Sequence, residues 1–536
     1  MSDFDKDSDS DGCTRCGNIP SQSNAFKHLP EPTIQALSSF NTYSSTQREQ
    51  IASAVTRIKE EQSKVDDVID RTQAYLKHLL SEREMLSSAL YKQQFLLSSI
   101  RNLPDEILSE VFLCLWRWGC CFAVHQPPLL LMHVCRRWRV LATSIQALWS
   151  HIHLFERFPP IWLLNEFLTR SRGYPLTINL QCGYSQIMGR TLLYPILTIL
   201  FDHKSRWRTI EFALTSDVWN KIGTISPAAR IFPMLQSVRL TVIGGFYGNP
   251  WKIFDNAPSL RDATVQCRGD HGIQFILPLC QLRSYKLWRS PVGYILRSFE
   301  QCPDLISCVV ECISEGESKP TKTHQRMGQL EKLELLATRQ SYFPLIFDFI
   351  STPALKDLTL TAGIGFKESV PISLIPFLVG SSCNLEKLTL YGLTLAGSEL
   401  INILRHLPYL TELIVAQRRE CLETLDLFTF TEEVFHSLAR TTLADDGAQD
   451  HPIMVPRLRI LRFTGRMDVS DQILLNLMQS RIELEADNPT VRFKTALLEI
   501  WRYPGATTLG SDVKNKVALW QKQGLDVKIQ VHELTA

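Results

Sequence analysis

Two cysteines near the start of the chain have the spacing of half a metal site. Cys13 and Cys16 form a CxxC pair within an acidic, polar leader. A structural zinc ion takes four protein ligands, and no second cysteine pair follows nearby. The nearest histidine, His28, cannot complete the set alone. We therefore expect no metal site in this chain.

Motifs that would identify an enzyme do not occur in the sequence. It has no GxxxxGK(S/T) phosphate loop, no HExxH zinc helix and no GxSxG nucleophile elbow. Gly363 and Gly365 lack the third glycine of a dinucleotide loop, so we interpret them as a turn after a strand. The sequence thus predicts a non-catalytic protein that needs no cofactor.

Charge and cysteine usage restrict the class of partner and the compartment. The 536 residues include 57 basic and 55 acidic ones, a net charge of +2, which gives no reason to expect nucleic acid or an anionic membrane. The basic cluster from Arg136 to Arg139 is predicted to be the solvated side of a helix. No run reaches the ~18 apolar residues of a spanning helix. The 14 cysteines show no disulfide framework, which favours a reducing compartment, the cytoplasm or the nucleus.

The segment from Leu103 to Trp149, called the helical segment below, is dense in large apolar residues. Leu103-Pro104-Asp105-Glu106 has the composition of a helix start, with proline and acids in the first turn. Apolar residues then recur at steps of three and four in two stripes. So short a segment supports only a small core, so some of these side chains either face a partner or pack against the rest of the chain. The stripes are Ile107, Leu108, Val111, Phe112 and Leu115, then Leu130, Val134, Trp138 and Leu141.

Before this segment, residues 47–100 carry a heptad seam. Its positions alternate at steps of four and three without a proline or glycine, which is typical of a coiled coil. Eleven of the fifteen positions are apolar. Two interpretations remain open: a parallel homodimer through residues 47–100, or a helix that folds back onto its own chain. The seam is Ile51, Val55, Ile58, Gln62, Val65, Ile69, Thr72, Leu76, Leu79, Arg83, Leu86, Leu90, Gln93, Leu97 and Ile100.

After Trp149 the sequence repeats the unit L-x-x-L-x-L about every 25 residues. In a short strand the fourth and sixth positions of this unit share one buried face. The stretches between the units include predicted helices at 342–350, 398–407, 432–439 and 469–478. A strand and a helix per period is the leucine-rich-repeat pattern, although an ordinary α/β domain is the alternative. The units begin at Leu235, Leu260, Leu282, Leu305, Leu330, Leu355, Leu385, Leu410 and Leu458, with weaker ones at Pro175 and Trp207.

The motifs of the helical segment, in their order, resemble an F-box. LPDEIL is followed by an apolar helix, VCRRWR, LATS and a final Leu148-Trp149. The junction LLSSIRNLPDEILSEVF and the repeats behind it are similar to F-box proteins of mushroom-forming fungi. Val140 departs from the family pattern, because a charged residue is common there, and Ile145-Gln146 replaces a frequent Thr-Pro. The linker from Trp116 to Phe122 is also more apolar than usual.

The sequence patterns and the resemblance together predict a mainly α/β chain with five regions. They are a disordered acidic and polar leader (1–46), a long coiled-coil helix (47–100), a small all-α F-box (101–154), an irregular leucine-rich-repeat α/β solenoid (155–487) and a C-terminal cap (488–536). The cap is predicted to hold a helix at 512–523 and a strand at 527–532.

The implied function is that of a substrate-recruiting subunit of an SCF-type ubiquitin ligase. The F-box would bind the Skp adaptor, and through it a cullin, while the repeats would hold a target protein of unknown identity. The alternative is a ubiquitin-independent scaffold of coiled coil and repeats. The family implies an adaptor-binding surface on Leu103, Pro104, Ile107, Leu108, Val111, Val134, Cys135, Trp138, Leu148 and Trp149.

The target surface is expected on strand positions that alternate with the buried leucines. Aromatic residues dominate interface energetics, which makes Trp288 and Tyr391 the expected anchors. The predicted target-binding residues are Arg239, Lys286, Trp288, Lys332, Glu334, Asp357, Lys387, Tyr391, Glu412 and Arg462.

Overall fold

The structure is a computed structural model. It describes residues 43–97, 99–115, 122–155, 158–183, 190–224, 231–244, 250–267, 275–313, 324–363, 372–418, 429–439, 454–467, 469–483, 492–502 and 509–533. Nearly all of the predicted leader with its CxxC pair, Gly365, and residues 116–121 of the apolar linker lie outside these ranges.

The chain divides into two compact units, residues 1–104 and 105–536. In the first, helix α1 (Ser45–Leu96) extends over 52 residues, and a short 3-10 helix (Ser99–Asn102) follows it. At 1.5 Å per residue α1 is about 78 Å long. It contains no proline or glycine. The predicted long N-terminal helix is therefore confirmed.

The second unit begins with three short helices. These are α2 (Asp105–Leu115), α3 (Leu129–Val134) and α4 (Arg136–Ser144). A 3-10 turn (Gln146–Trp149) connects α4 to the first strand of the sheet.

A large parallel sheet dominates the second unit. Among the described residues, fourteen strands lie side by side in the order in which they occur in the chain. They are β1 (His151–Leu154), β2 (Leu176–Cys182), β3 (Trp207–Thr215), β4 (Ser237–Ile243), β5 (Asp262–Cys267), β6 (Ser284–Trp288), β7 (Ser307–Ile313), β9 (Lys332–Ala337), β11 (Asp357–Ala362), β12 (Lys387–Tyr391), β13 (Glu412–Ala416), β14 (Ile460–Arg466), β15 (Thr495–Arg502) and β16 (Asp526–Glu533). Two short strands, β8 (Gln325–Arg326) and β10 (Ile350–Ser351), form a separate parallel pair.

Helices occur in most of the connections between strands. They are α5 (Ile161–Arg170), α6 (Arg190–Asp202), α7 (Ser216–Thr224), α8 (Val292–Gln301), α9 (Tyr342–Phe347), α10 (Leu374–Ser381), α11 (Gly397–Arg405), α12 (Glu432–Leu438), α13 (Asp471–Ile482) and α14 (Ser511–Lys522).

The same backbone contact recurs at each step of the sheet from β4 to β15. The carbonyl of Glu331 accepts hydrogen bonds from the amides of Lys356 and Asp357, at 2.9 and 3.0 Å. One repeat later, the carbonyl of Lys356 accepts from the amides of Glu386 and Lys387 in the same way. This shared contact sets the register at the start of each of these strands.

Burial alternates along the strands, as the repeat predicted. In β9 the side chains of Leu333 and Leu335 are fully buried, whereas Lys332 and Glu334 are partly exposed. The buried side faces one continuous apolar core that extends from Ile152 to Val527. We call the opposite side the open face. The mixed α/β class with a long helix and a large parallel sheet is confirmed, while the F-box and the leucine-rich-repeat solenoid stay predictions.

Candidate protein-docking surfaces

The helical segment is built around a small aromatic core. Leu108 and Phe112, one turn apart on α2, are fully buried. The ring of Phe112 meets the ring of Trp138 on α4 edge to face, with 4.8 Å between the centroids. These contacts bury one stripe of α2 and leave the other side of the helix to solvent.

Polar contacts fix the angle between the short helices. The Cys135 Sγ accepts the amide of Trp138 at 3.5 Å and so caps the start of α4. Arg137 donates to Asp105 Oδ1 from Nε at 2.8 Å and from a terminal nitrogen at 2.6 Å. Arg139 Nε donates to the carbonyl of Met132 at 2.8 Å. Part of the predicted solvated basic cluster therefore holds the segment together.

Trp149 anchors the helical segment to the sheet. Its side chain is fully buried, and Nε1 donates to the carbonyl of Ala142 at 2.8 Å. Its ring meets Phe167 of α5 edge to face at 4.9 Å. The carbonyl of the next residue, Ser150, accepts the amide of Thr177 in β2 at 3.0 Å. Ring packing on α5 and a backbone hydrogen bond to β2 therefore fix the end of the helical segment to the start of the sheet.

The ten predicted adaptor-binding residues divide by exposure. Leu108, Leu148 and Trp149 are fully buried, so they support the surface from inside and contribute no contact area of their own. Ile107 and Val134 are exposed by 51% and 42%. Leu103 and Pro104 belong to the first of the two units, and the structure leaves Pro104 exposed. The remaining three, Val111, Cys135 and Trp138, are partly exposed.

Beside the exposed apolar residues lies a groove that the motif alone did not predict. It has a volume of about 460 Å³ and is lined by Asp105, Arg136, Arg137, Val140, Leu141 and Ser144. Val140 is 62% exposed there. Its departure from the family's charged residue was the signal in the sequence, because it adds apolar area to this side of α4.

The ten predicted target-binding residues all lie on the open face, each alternating with buried side chains. Four of them occupy register positions on the neighbouring strands β9, β11, β12 and β13. They form a row of alternating charge: Lys332, Asp357, Lys387 and Glu412.

Ion pairs engage most of the charged positions on the open face. Lys387 lies 3.4 Å from Glu412, and Lys332 lies 3.8 Å from Glu334. In addition, Lys286 pairs with Glu311 at 2.5 Å and Arg239 with Glu211 at 3.2 Å. Since these pairs are partly exposed to solvent, each contributes little to stability. They leave a mixed surface without a strong net sign.

The two predicted aromatic anchors are the last residues of their strands. Trp288 ends β6 with the guanidinium of Arg289 5.6 Å from its ring centroid, and Tyr391 ends β12 with that of Arg418 at 5.1 Å. Tyr391 is 41% exposed and Trp288 is partly buried. Four strand spacings separate them, about 19 Å. A protein segment that contacts both must cross several strands.

Two glutamines occupy a role that sequence patterns left unassigned. The sequence lacks, in most units, the asparagine or cysteine that usually follows a repeat strand. Gln340 is buried, accepts the amide of Thr394 at 2.9 Å and donates to its carbonyl at 3.1 Å. Gln417 accepts the amide of Arg466 at 2.9 Å and donates to Thr429 Oγ1 at 3.0 Å. These side chains satisfy backbone groups between strands.

Arg481, a buried arginine on α13, binds the chain on both sides of the segment between α12 and β14. Arg481 is fully buried and donates to the carbonyls of Leu438, Met454 and Val455 at 2.8, 2.7 and 3.3 Å. Burial lowers the pKa of its guanidinium to about 10, so it stays charged at neutral pH. Residues 440–453, which connect the two stretches that Arg481 joins, lie outside the described residues.

The described residues have no cluster of metal ligands, and the thiols of Cys302 and Cys308 are buried. The described part of the chain contains no group of three or more His, Cys, Asp or Glu side chains placed to hold a metal ion. Burial raises the pKa of Cys302 to about 12 and also raises that of Cys308, so both stay protonated thiols. Within the same ranges, no helix combines the length and the apolar character that crossing a membrane requires.

Comparison with known proteins adds no family to this description. The chain matches no protein-family model, and no curated protein matches it in sequence.

Proposed function

We propose that the protein is the substrate-recruiting subunit of an SCF-type ubiquitin ligase, with the helical segment bound to an Skp adaptor. The observation that carries this proposal is the exposure of Ile107, Val134 and Val140 on a segment that Trp149 fixes to the sheet. A rigidly mounted apolar surface can bind a partner with little loss of conformational freedom.

The sheet supports the recruiting role. Its open face carries mixed charge and two aromatic side chains, which suits binding to a protein surface. The repeated backbone contact between successive strands favours an irregular leucine-rich-repeat array over an ordinary α/β domain. In this role the protein accelerates ubiquitin transfer by proximity alone. We propose a cytoplasmic or nuclear location from the cysteine usage.

A binding measurement with the full-length chain tests the adaptor proposal. Ile107→Asp places a charge on the exposed side of α2 without touching the buried stripe. We expect a purified Skp adaptor to bind the unaltered chain and to bind the variant at least about tenfold more weakly. Val124→Asp, at an equally exposed residue outside the predicted surface, is the matched control. If the purified Skp adaptor does not bind the unaltered chain, the proposal is wrong.

The second candidate is a ubiquitin-independent scaffold. The observation that favours it is the exposed apolar seam of α1, which suits self-association. This candidate predicts that Ile107→Asp leaves self-association of the full chain unchanged. Substitutions in the seam of α1 should abolish self-association.

A further inference from the structure

Helix α1 has a long apolar seam exposed to solvent. Between Ile51 and Leu97, the exposed fractions of the apolar seam residues range from 39% at Leu79 to 85% at Leu97, just beyond the helix end. A helix that shows so much apolar surface over about 78 Å needs a partner to be stable in water.

The period of the seam specifies what covers it. A repeat of seven residues winds two helices around each other along their full length. The longest helix that the structure describes outside α1 is α6, with 13 residues, so it could cover only a quarter of the seam. A second copy of α1 has the matching period and is long enough to cover most of the seam.

The polar seam positions indicate the direction of pairing. Gln62 and Gln93 lie equally far from the point between Lys77 and His78, on opposite sides of it. Thr72 and Arg83 are likewise symmetric about that point. An antiparallel partner centred there sets Gln62 opposite Gln93 and Thr72 opposite Arg83 of the second copy.

The apolar positions follow the same symmetry. In this register Leu76 lies opposite Leu79 of the second copy and Ile69 lies opposite Leu86. Further along, Val65 meets Leu90 and Ile58 meets Leu97. Over residues 58–97, where the two seams overlap, every layer then pairs apolar with apolar or polar with polar. A shift by one heptad breaks this match, since it sets Gln62 opposite Leu86 and Arg83 opposite Val65.

Charge also disfavours the parallel alternative predicted from the heptads alone. A parallel, in-register dimer brings the two Arg83 side chains together and puts Glu61 beside Asp66 of the second copy. The antiparallel register places Lys59 beside Gln94 and Tyr75 beside Glu82, with no like charges at these flanking positions. We propose that α1 forms an antiparallel two-stranded coiled coil with α1 of a second copy, centred between Lys77 and His78. This inference does not rest on the proposed adaptor function.

Amine cross-linking of the unaltered full-length chain tests the orientation. In the antiparallel pair, Lys64 of one copy lies one position from the level of Lys92 of the other, on the same side of the coiled coil. Within one helix, or between parallel helices, these lysines are about 42 Å apart. We expect a dimer in solution, and a Lys64–Lys92 cross-link in peptides from the covalent dimer. A monomer, or a dimer without this cross-link, overturns the proposal.

Adjacent residues give a matched pair of variants for the seam. Leu86 lies in the seam and Met85 lies outside it, and their exposures are similar at 69% and 64%. Leu86→Lys buries a charge in two layers of the dimer, and we expect the dimer dissociation constant to rise at least about a hundredfold. Met85→Lys should leave it within about threefold. Equal effects of the two substitutions would show that the seam is not the interface.

A charge placed opposite Arg83 tests the register. Thr72→Glu sets a carboxylate across from Arg83 of the second copy, twice per dimer. We expect the dimer dissociation constant of Thr72→Glu to be about tenfold lower than that of the double variant Thr72→Glu with Arg83→Gln. Parallel helices keep the two positions about 16 Å apart along the axis and predict no such difference.

Discussion

The guanidinium of Arg170 lies over the indole ring of Trp149, with 4.4 Å between its carbon and the ring centroid. Arg170 is the last residue of α5, and Trp149 is the last residue of the helical segment. Phe167, one turn earlier on α5, meets the same indole ring edge to face. The ring thus lies between the helical segment and α5, so the position of the proposed docking surface depends on it.

Replacing this ring should destabilise the second unit strongly. We expect Trp149→Ala to lower the free energy of unfolding by about 3–5 kcal/mol, because it leaves a cavity at a fully buried site. Trp149→Phe keeps most of the volume but loses the hydrogen bond to Ala142, which costs about 1–2 kcal/mol. Urea unfolding measures both. Trp162→Ala, at a residue 69% exposed, is the control and should cost less than about 1 kcal/mol.

His151 at the start of β1 should make stability depend on pH. Burial lowers the pKa of its imidazole to about 3, from 6.5 in the unfolded chain. Between these values only the unfolded chain takes up the proton, so the free energy of unfolding falls as the pH decreases below 6.5. At pH 5 this loss is about 2 kcal/mol.

Comparing unfolding at pH 7 and pH 5 isolates this effect. In His151→Gln the difference between the two pH values should shrink by about 2 kcal/mol relative to the unaltered chain. His125→Gln removes an exposed imidazole and should leave the difference unchanged. If His151→Gln retains the full pH dependence, the titrating group lies elsewhere.

Several strands and helices could be predicted from the periodicity of the sequence. The unit LEKLEL from Leu330 correctly predicted a strand with Leu333 and Leu335 buried, because alternation fixes which side of a strand is apolar. The helix predicted at 432–439 is α12, Glu432–Leu438. The sheet also continues through β15 and β16, in the region expected to be a cap, because Thr495 and Asp526 extend the register of β14.

Other features left no pattern to find. Gln340 follows the end of β9 by three residues, whereas Gln417 follows β13 directly, so the two share no spacing. Their long side chains reach the same kind of backbone group from different positions. Periodicity also assigned Ile107 and Leu108 to one apolar stripe, but it could not tell that only Leu108 is covered by its own chain.

The two hydrogen bonds between Gln340 and Thr394 should stabilise the fold measurably. Gln340→Leu keeps the volume but leaves both the amide and the carbonyl of Thr394 without this partner. We expect a loss of about 2–4 kcal/mol in the free energy of unfolding. Faster hydrogen exchange at the Thr394 amide is the local measurement. Gln236→Leu, at an exposed glutamine bonded to Arg208, should cost less than about 1 kcal/mol.

Gly392 directly follows Tyr391, one of the two predicted anchors, and only a residue without a side chain fits there. Its φ is +67°, a left-handed conformation, and a Cβ there would lie 2.8 Å from Arg418 Nε and 3.0 Å from the carbonyl oxygen of Ala362. Gly392→Ala therefore combines backbone strain with a clash that displaces Arg418 from the ring of Tyr391. We expect it to lower the free energy of unfolding by about 2–4 kcal/mol.

Gly524 separates the two contributions. It has a φ of +84°, and the space that a Cβ would occupy there is open to a distance of 4 Å, so Gly524→Ala carries only the strain of about 1–2 kcal/mol. Urea unfolding of both variants should give the larger loss for Gly392→Ala. Hydrogen exchange at the amide of residue 392, which donates to the carbonyl of Ala416 at 2.7 Å, should also accelerate in that variant alone. Equal losses of unfolding free energy in the two variants would mean that the added methyl group at residue 392 causes no clash with Arg418.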